Sequence, residues 1–300
     1  KGPARMTARI IDGKEVAAKV HEEVAAGVTE YREQHGSAPG LTVVLVGDDP
    51  ASHSYVKGKE RACERVGISS ETILRDASIT QEELIGIVND LNNDSKVHGI
   101  LLQLPLPDHI DDAAVIHATD PMKDVDGLHP ENAGLLVLGE PRFAPATPLG
   151  VQRMLLEEGV EMKGARVVIV GRSKLVGMPL ALLLLQKGSG ANSTVTVCHT
   201  GTTNIAAETR RADVLIAAAG FPGTVTADMV KPGAVVIDVG VSRVDDPTRK
   251  RGYRLTGDVE FDSVSEVASA ITPVPGGVGP MTIAMLLVNV LQAAKLANSN

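Results

Sequence analysis

The chain has 300 residues, of which 43% are hydrophobic and 22% are charged, a balance that is ordinary for a globular protein of about two domains. The formal net charge of −8 and the lack of any Lys/Arg block argue against a nucleic-acid or anionic-membrane partner. Aromatic residues make up only 2% of the sequence, so the core must be aliphatic, which suits buried parallel strands.

The sequence also argues against a membrane, secreted or metal-binding protein. Its longest apolar runs are shorter than the roughly 20 residues that cross a bilayer, and no signal-peptide layout is present. The two cysteines, Cys63 and Cys198, give neither a disulfide framework nor zinc-ligand spacing. Residues 1–5, before Met6, are interpreted as a remnant of an expression vector. We therefore expect a cytoplasmic protein without a metal.

Short β-branched segments alternate with helical patterns along the whole chain. The predicted strands cover residues 41–46, 73–75, 99–102, 166–170, 194–198, 214–218 and 234–239. Helical periodicity follows most of them, over residues 52–66, 81–93, 176–187 and 204–211. Alternation of this kind predicts an α/β fold with mostly parallel sheets covered on both faces.

Two proline-rich segments set the predicted domain organisation. Residues 139–148 contain three prolines and no periodicity, so we place the domain junction there, between a first domain of residues 6–146 and a Rossmann-type domain of residues 147–280. Residues 271–282 contain three prolines and three glycines, which predicts irregular backbone that can wall a ligand site. The last predicted helix, residues 281–297, is expected to pack back on the first domain.

In the first domain, three polar features follow predicted strands, at the edge where open α/β sheets bind ligands. Tyr55 and Lys59 are four residues apart and therefore share a helix face. Gln103 directly follows the predicted strand of residues 99–102, and Asp126 lies in a loop that ends at Gly127. Each also has a simpler explanation: a solvated helix face, a capped turn, or a surface turn in which Gly127 supplies a positive φ.

The second domain contains a candidate phosphate turn. Gly171 directly follows a predicted strand and Gly177 precedes a Leu-rich helix, as backbone that approaches a pyrophosphate requires, although a plain strand-to-helix turn would look similar. The next predicted strand is followed by residues 199–203, His-Thr-Gly-Thr-Thr, with no carboxylate for a ribose hydroxyl. Arg172 beside the turn favours the 2′-phosphate of NADP over NAD, unless it is merely solvated.

Five motifs together resemble one family, in order and from about Arg9 to the final helix. They are Asp49-Pro-Ala-Ser-His-Ser-Tyr-Val-Lys-Gly-Lys59, Gln103-Leu-Pro-Leu-Pro107, Lys123-Asp-Val-Asp-Gly127, Gly171-Arg-Ser-Lys-Leu-Val-Gly177 and Thr272-Pro-Val-Pro-Gly-Gly-Val-Gly-Pro-Met-Thr282. The chain is similar in these motifs to the bifunctional methylenetetrahydrofolate dehydrogenase/cyclohydrolase family.

The resemblance implies two reactions in one cleft: oxidation of 5,10-methylenetetrahydrofolate by NADP⁺, then hydrolysis of the methenyl product to 10-formyltetrahydrofolate. It implies that Lys59 is the key catalytic group, flanked by Tyr55 and Gln103, and that Asp126 holds the pterin. It further implies folate contacts from Pro275, Gly279 and Thr282, and NADP contacts from Gly171, Arg172, Ser173, Gly177, Thr200 and Val241. The resemblance also implies a homodimer formed through the Rossmann domains. It implies a place in one-carbon metabolism and purine biosynthesis as well.

The residue types suit this chemistry. Free lysine titrates near ~10.4, so a desolvated site must lower the pKa of Lys59 for proton exchange near neutral pH. Gln103 can orient the amine without adding charge, and Asp126 is expected to lie away from it. Two alternatives stay open: a two-domain dehydrogenase of the shikimate or malic type, and a non-catalytic NADP-binding regulator.

Overall fold

The computed structural model describes residues 8–249 and 252–298. The interpretation of residues 1–5 therefore falls outside the described residues. The strands are β1 (Arg9–Ile10), β2 (Gly40–Val46), β3 (Ser69–Arg75), β4 (Gly99–Leu102), β5 (Arg166–Val170), β6 (Thr194–Cys198), β7 (Val214–Ala217), β8 (Val235–Asp238), β9 (Ser242–Asp245), β10 (Tyr253–Thr256) and β11 (Ala270–Ile271). The helices are α1 (Gly13–His35), α2 (Pro50–Val66), α3 (Gln81–Asn93), α4 (Asp112–Ala118), α5 (Pro130–Leu138), α6 (Ala146–Glu157), α7 (Gly177–Leu185), α8 (Ile205–Thr209), α9 (Phe261–Ser265) and α10 (Val278–Ala297).

The described chain divides into two compact units. The smaller unit contains residues 18–146 and 283–298, and the larger unit contains residues 8–17 and 147–282. The division differs from the predicted ranges at the start of the chain, because β1 pairs with β11 in the larger unit.

The smaller unit is built on a parallel sheet in the order β3-β2-β4. Every residue of the central strand β2 is buried, and its side chains pack with those of β4 and α3 in an aliphatic core. A parallel bridge joins Ile100 of β4 to Asp124, so the loop that contains Asp126 runs alongside the end of β4. The sheet therefore brings this loop to the residue that follows β4, which is Gln103.

The larger unit is built on a parallel sheet in the order β1-β11-β8-β7-β5-β6. The chain passes from β5 to its neighbour β6 on one side and then to β7 on the other, which creates a switch point at the carboxyl ends of β5 and β7. Doubly wound sheets bind nucleotides at such a point. The predicted fold class, two α/β domains with mostly parallel sheets and a Rossmann-type second domain, is confirmed.

The Pro/Gly-rich segment is less irregular than predicted. Ile271 belongs to β11, and α10 begins at Val278, so only residues 272–277 lie outside regular elements. Pro280 is in the first turn of α10, where the missing N–H would have had no helical partner, and the helix therefore tolerates it. The prediction that residues 271–282 hold no regular structure is wrong at both ends for this reason.

By length and composition α10 is apolar enough to cross a membrane, the one such helix in the part of the chain that the structure describes. Within the protein, 56% of its apolar window is buried. Its Asn289 is 5% exposed and donates to the carbonyls of Val125 at 2.7 Å and Ala144 at 3.0 Å. Such buried hydrogen bonds are typical of a core helix, and they fix α10 to the smaller unit as predicted.

Candidate active site

In the smaller unit, Lys59 and Gln103 form a direct hydrogen bond. Lys59 lies on α2, whose first turn is capped by the Asp49 carboxylate, which accepts from the Ser52 N–H at 2.8 Å. The Lys59 amine donates to Oε1 of Gln103 at 3.0 Å. Nε2 of Gln103 donates to the Leu104 carbonyl at 3.0 Å, so both ends of the amide are engaged. The neutral amide therefore fixes the amine in a half-buried position.

The charged residues of the loop beside β4 have two roles: some hold the loop in place, and one faces the candidate site. Nζ of Lys123 donates to three carbonyls at the C-terminal end of α3, at 2.8 to 2.9 Å. The Asp124 carboxylate accepts from the N–H groups of Leu128 and His129. Gly127 has a φ of 65°, a left-handed conformation that allows the loop to turn. Lys123 and Asp124 thus hold the loop, and Asp126 is the carboxylate that it presents beside β4.

Burial changes the pKa values of Lys59 and Asp126 in the directions that favour their neutral forms. It lowers the pKa of Lys59, and the Asp126 carboxylate acts in the opposite direction. It raises the pKa of Asp126 to about 6, against the attraction of Lys59. Each group therefore acts electrostatically on the other, and the expectation that Asp126 lies away from Lys59 stays a prediction. The Cys63 thiol, one turn further along α2, has its pKa raised by burial to about 11 and stays protonated.

The other predicted folate contacts divide between the two units. Tyr55 lies one turn before Lys59 on α2 and is 53% exposed. Pro275, Gly279 and Thr282 belong to the larger unit. There the Thr282 hydroxyl forms a 2.8 Å hydrogen bond with the Thr147 hydroxyl, and Gly279 lies in the first turn of α10. Within one unit, the structure thus brings together Lys59, Gln103 and Asp126.

In the larger unit, the turn after β5 depends on close backbone approach. Gly171 has a φ of 131°, and a Cβ at this position would collide with the Ala218 carbonyl after β7. A Cβ at Gly177 would collide with the Gly171 carbonyl. Both glycines are therefore required by the fold as well as by any phosphate that approaches the turn. Oγ of Ser173 accepts from the Val176 N–H at 3.1 Å and shapes the start of α7.

The remaining predicted NADP contacts lie at the same edge of the sheet and are open to solvent. Arg172 follows Gly171, Thr200 follows β6, and Val241 follows β8; all three are exposed. After β6, Nδ1 of His199 accepts from the Gly201 N–H at 3.1 Å, which holds the Thr200 turn. The fold therefore presents a guanidinium and a hydroxyl at this edge.

Sequence reasoning missed two buried carboxylates at the end of the larger sheet, Asp238 and Asp258. Burial raises the pKa of Asp238 to about 6, and it also raises the pKa of Asp258. Both accept backbone hydrogen bonds from neighbouring loops. The available signal was a glycine close to each aspartate, Gly240 after Asp238 and Gly257 before Asp258.

No group of three or more His, Cys, Asp and Glu side chains among the described residues is placed to hold a metal ion. A cavity of about 690 Å³ in the larger unit is lined mainly by residues around and after β10, including Arg254 and Phe261. It shares none of the side chains predicted to contact NADP.

Comparison with known proteins gives concordant matches over almost the whole chain. The family model described as tetrahydrofolate dehydrogenase/cyclohydrolase, catalytic domain, matches residues 11–126. The model described as the NAD(P)-binding domain of the same family matches residues 145–298. The bifunctional protein FolD of Chlorobium limicola is 54% identical over 292 residues, which cover 97% of this chain and 99% of the relative.

Solved structures agree. The bifunctional FolD methylenetetrahydrofolate dehydrogenase/cyclohydrolase of Campylobacter jejuni has a TM-score of 0.90 and 46% identity, over 96% of this chain and 99% of that one. The FolD enzyme of Trypanosoma brucei, solved with NADP cofactor and inhibitor, has a TM-score of 0.92 and 41% identity, over 98% and 99% of the two chains. From these matches, the chain belongs to the tetrahydrofolate dehydrogenase/cyclohydrolase family.

Proposed function

We propose that this protein catalyses two successive reactions: NADP-dependent oxidation of 5,10-methylenetetrahydrofolate to 5,10-methenyltetrahydrofolate, and hydrolysis of that product to 10-formyltetrahydrofolate. The observation that carries the proposal is the Lys59–Gln103 hydrogen bond beside Asp126, in a chain whose relatives are named for both activities. Family membership argues against the alternative of a shikimate- or malic-type dehydrogenase.

The hydrolytic step is assigned to Lys59. The methenyl cation adds water at its one-carbon unit, one C–N bond breaks, and one proton is released for each molecule hydrolysed. A neutral amine can accept a proton from the attacking water and return it to the leaving nitrogen. Burial lowers the pKa of Lys59 and so populates the neutral amine at lower pH than in solution. Gln103 aims the amine and adds no negative charge that would hold its proton.

Asp126 is assigned to binding of the pterin. A pterin ring offers adjacent N–H donors, which one carboxylate can accept together. With its pKa raised to about 6, Asp126 is ionised above that pH and then accepts both hydrogen bonds. Tyr55, Pro275, Gly279 and Thr282 are assigned to contacts with the rest of the folate, which orient its one-carbon unit.

The larger unit is proposed to bind NADP through six residues: Gly171, Arg172, Ser173, Gly177, Thr200 and Val241. When bound, NADP⁺ supplies the acceptor for a hydride from the folate carbon. The residues fit this cofactor, because no carboxylate follows β6 and the exposed Arg172 can pair with a 2′-phosphate. The relative from Trypanosoma brucei, solved with NADP, supports the same choice.

We propose further that the protein is a cytoplasmic homodimer that serves one-carbon metabolism, including purine biosynthesis. The family resemblance supports the dimer and the pathway. The net charge of −8 supports the absence of nucleic-acid and membrane partners. Light scattering of the purified protein tests the dimer, since a monomer at micromolar concentration would contradict it.

The direct test mixes the protein with 5,10-methylenetetrahydrofolate and NADP⁺ and follows the absorbance bands of NADPH and methenyltetrahydrofolate. We expect NADPH to accumulate while the methenyl band rises only transiently. NADPH with a persistent methenyl band would show a dehydrogenase alone. No change in either band, with NADP binding intact, would support the alternative of a non-catalytic regulator.

A further inference from the structure

Asp258, in the larger unit, holds the turn that follows β7. Its side chain is fully buried, and its Oδ2 accepts from the N–H of Ala219 at 2.7 Å and the N–H of Gly220 at 2.8 Å. Two successive N–H groups on one carboxylate oxygen fix the direction of both peptide units. The turn between β7 and the residues after Gly220 is therefore held by a side chain 38 positions further along the chain.

A second buried carboxylate places Asp258 itself. Asp238, the last residue of β8, accepts from the N–H of Asp258 at 3.0 Å and from the N–H of Gly240 at 3.0 Å. A Cβ at Gly240 would collide with Oδ1 of Asp258, and a Cβ at Gly257 would collide with the Asp238 carboxylate. The two glycines thus make room for two adjacent carboxylates, which tie the ends of β7 and β8 together.

This pair touches the turn that packs against one predicted NADP contact, Gly171, and the segment that carries another, Val241. The Ala218 carbonyl, next to the Ala219 N–H that Asp258 binds, packs against Gly171 so closely that no side chain fits between them. On the other side, Gly240 packs against Oδ1 of Asp258 and is followed by Val241. Oδ1 has no hydrogen-bond partner among the described residues, so it stabilises the fold less than a fully paired carboxylate would.

We infer that Asp258 is a positioning residue for the NADP-binding residues of the larger unit. Through the Ala219–Gly220 peptide units and the adjacent Ala218 carbonyl, it fixes the position of the Gly171 turn. Through Gly240 it fixes the position of the Val241 backbone. The inference rests on the proposed function for the identity of the cofactor. Asp258 itself touches neither folate nor the reacting carbon in this role, so its loss should affect NADP binding and leave the hydrolytic reaction unchanged.

The test compares D258A, which removes the acceptor, with D258N, which keeps an oxygen for the two N–H groups. For D258A we expect NADP affinity, measured by calorimetry, to fall by roughly tenfold, as loss of charge-assisted hydrogen bonds predicts. Amide exchange of the 219–221 segment in the NADP-free protein should accelerate. D258N should retain an intermediate affinity, at least about threefold weaker than that of the unmodified protein.

The cyclohydrolase reaction, assayed with methenyltetrahydrofolate supplied directly, is the internal control and should stay within about twofold. Asp228, an exposed aspartate of the same unit, provides the matched variant D228A, which should change neither property. The inference would be overturned if D258A lost NADP affinity and cyclohydrolase activity to the same extent. It would also be overturned if a folded D258A bound NADP less than threefold more weakly than the unmodified protein. If D258A does not fold, D258N decides by the same two criteria. Failure of the proposed function is distinct, because the unmodified protein would then lack both activities.

Discussion

The Lys59 amine and the Gln103 side-chain oxygen lie 3.0 Å apart, although 44 positions separate the two residues in the sequence. The parallel pairing of β2 with β4 is what brings α2 and the end of β4 to this distance. The partner of the amine is neutral, whereas a carboxylate at the same place would favour the charged ammonium. The pKa of Lys59, and with it the pH range of the hydrolytic reaction, should therefore depend on residue 103.

The first prediction concerns the charge at residue 103. In Q103E a carboxylate replaces the amide beside Nζ and raises the pKa of Lys59, so the rising limb of the cyclohydrolase pH profile should move to higher pH. An opposite charge at hydrogen-bond distance shifts a pKa by about 1 to 3 units, which sets the expected displacement. The measurement is kcat/KM for methenyltetrahydrofolate between pH 6 and 9, over the range in which the substrate is stable.

The neutral variant Q103M serves as the control for this prediction. It removes the hydrogen bond to Lys59 without adding charge. The cyclohydrolase rate should therefore fall, while the rising limb of its pH profile should not move to higher pH. A Q103E profile that rises at the same pH as the unmodified enzyme would contradict the role given to the neutral amide.

The second prediction concerns stability at Asp126. Burial raises the pKa of this carboxyl to about 6, above its value in the unfolded chain, so its contribution to stability is present at low pH and is lost as pH rises from about 4 to 6. D126N should therefore stabilise the folded protein at pH 8 by about 2 kcal/mol and have almost no effect at pH 4. Urea unfolding at the two pH values measures the difference.

The same D126N variant should bind folate poorly, because an amide has one acceptor oxygen in place of the two that a carboxylate offers to adjacent pterin N–H groups. Greater stability combined with weaker substrate binding is the expected signature of a carboxylate retained for function. Equal effects on stability at both pH values would show that the ionised carboxylate has no cost in the fold.

The third prediction concerns cofactor choice. R172A removes the exposed guanidinium beside the phosphate turn and should raise the KM for NADP by about tenfold or more, with little change for NAD. Lys163 precedes β5 and lies at the opposite end of that strand, so K163A is a matched loss of positive charge that should affect neither cofactor. Equal increases for NADP and NAD in R172A would remove the argument for a 2′-phosphate contact.

The fourth prediction concerns Asn289 in α10. N289L leaves the buried carbonyls of Val125 and Ala144 without their donor and should destabilise the protein by about 2 to 4 kcal/mol. Gln292, one turn later, makes a comparable bond to the Arg142 carbonyl at an exposed position, so Q292A should cost less than about 0.5 kcal/mol. Equal free energies of unfolding for the two variants would contradict the view that burial determines the effect.

Much of the fold could be predicted because its strongest signals are local. Helical periodicity predicts a helix over residues 81–93, and these are the bounds of α3 in the structure, where Thr80 and Glu83 form a capping box. β3 was predicted too short, because Ser69, Ser70 and Glu71 are exposed polar residues of an edge strand and carry no apolar pattern. The β9–β10 hairpin was not predicted, since it lies apart from the parallel core whose pattern guided the assignment.

α1 was also missed, although Val16, Val20, Val24 and Val28 recur every four residues and are all buried. β-branched residues argue weakly for a helix, and their spacing was the better guide.

The site was less predictable than the fold, for reasons of tertiary structure. The family resemblance predicted that Gln103 lies beside Lys59, and the pairing of β2 with β4 is the tertiary feature that accounts for this contact. That Asp126 acts on Lys59 follows from the bridge between Ile100 and Asp124, which sets the loop beside β4. Asp258 gave no motif, because its inferred role depends on Gly240 and on the turn at residues 219–220, which are distant in the sequence.

The central claim, that one partly neutral amine transfers the protons of the hydrolytic step, is tested most directly by K59M, with K57M as the control. Lys57 is an exposed lysine of the same helix. In K59M, cyclohydrolase turnover should fall by about a hundredfold or more, with NADP affinity within twofold and methenyltetrahydrofolate accumulating. K57M should behave as the unmodified enzyme. Hydrolysis at an undiminished rate in K59M would contradict the account.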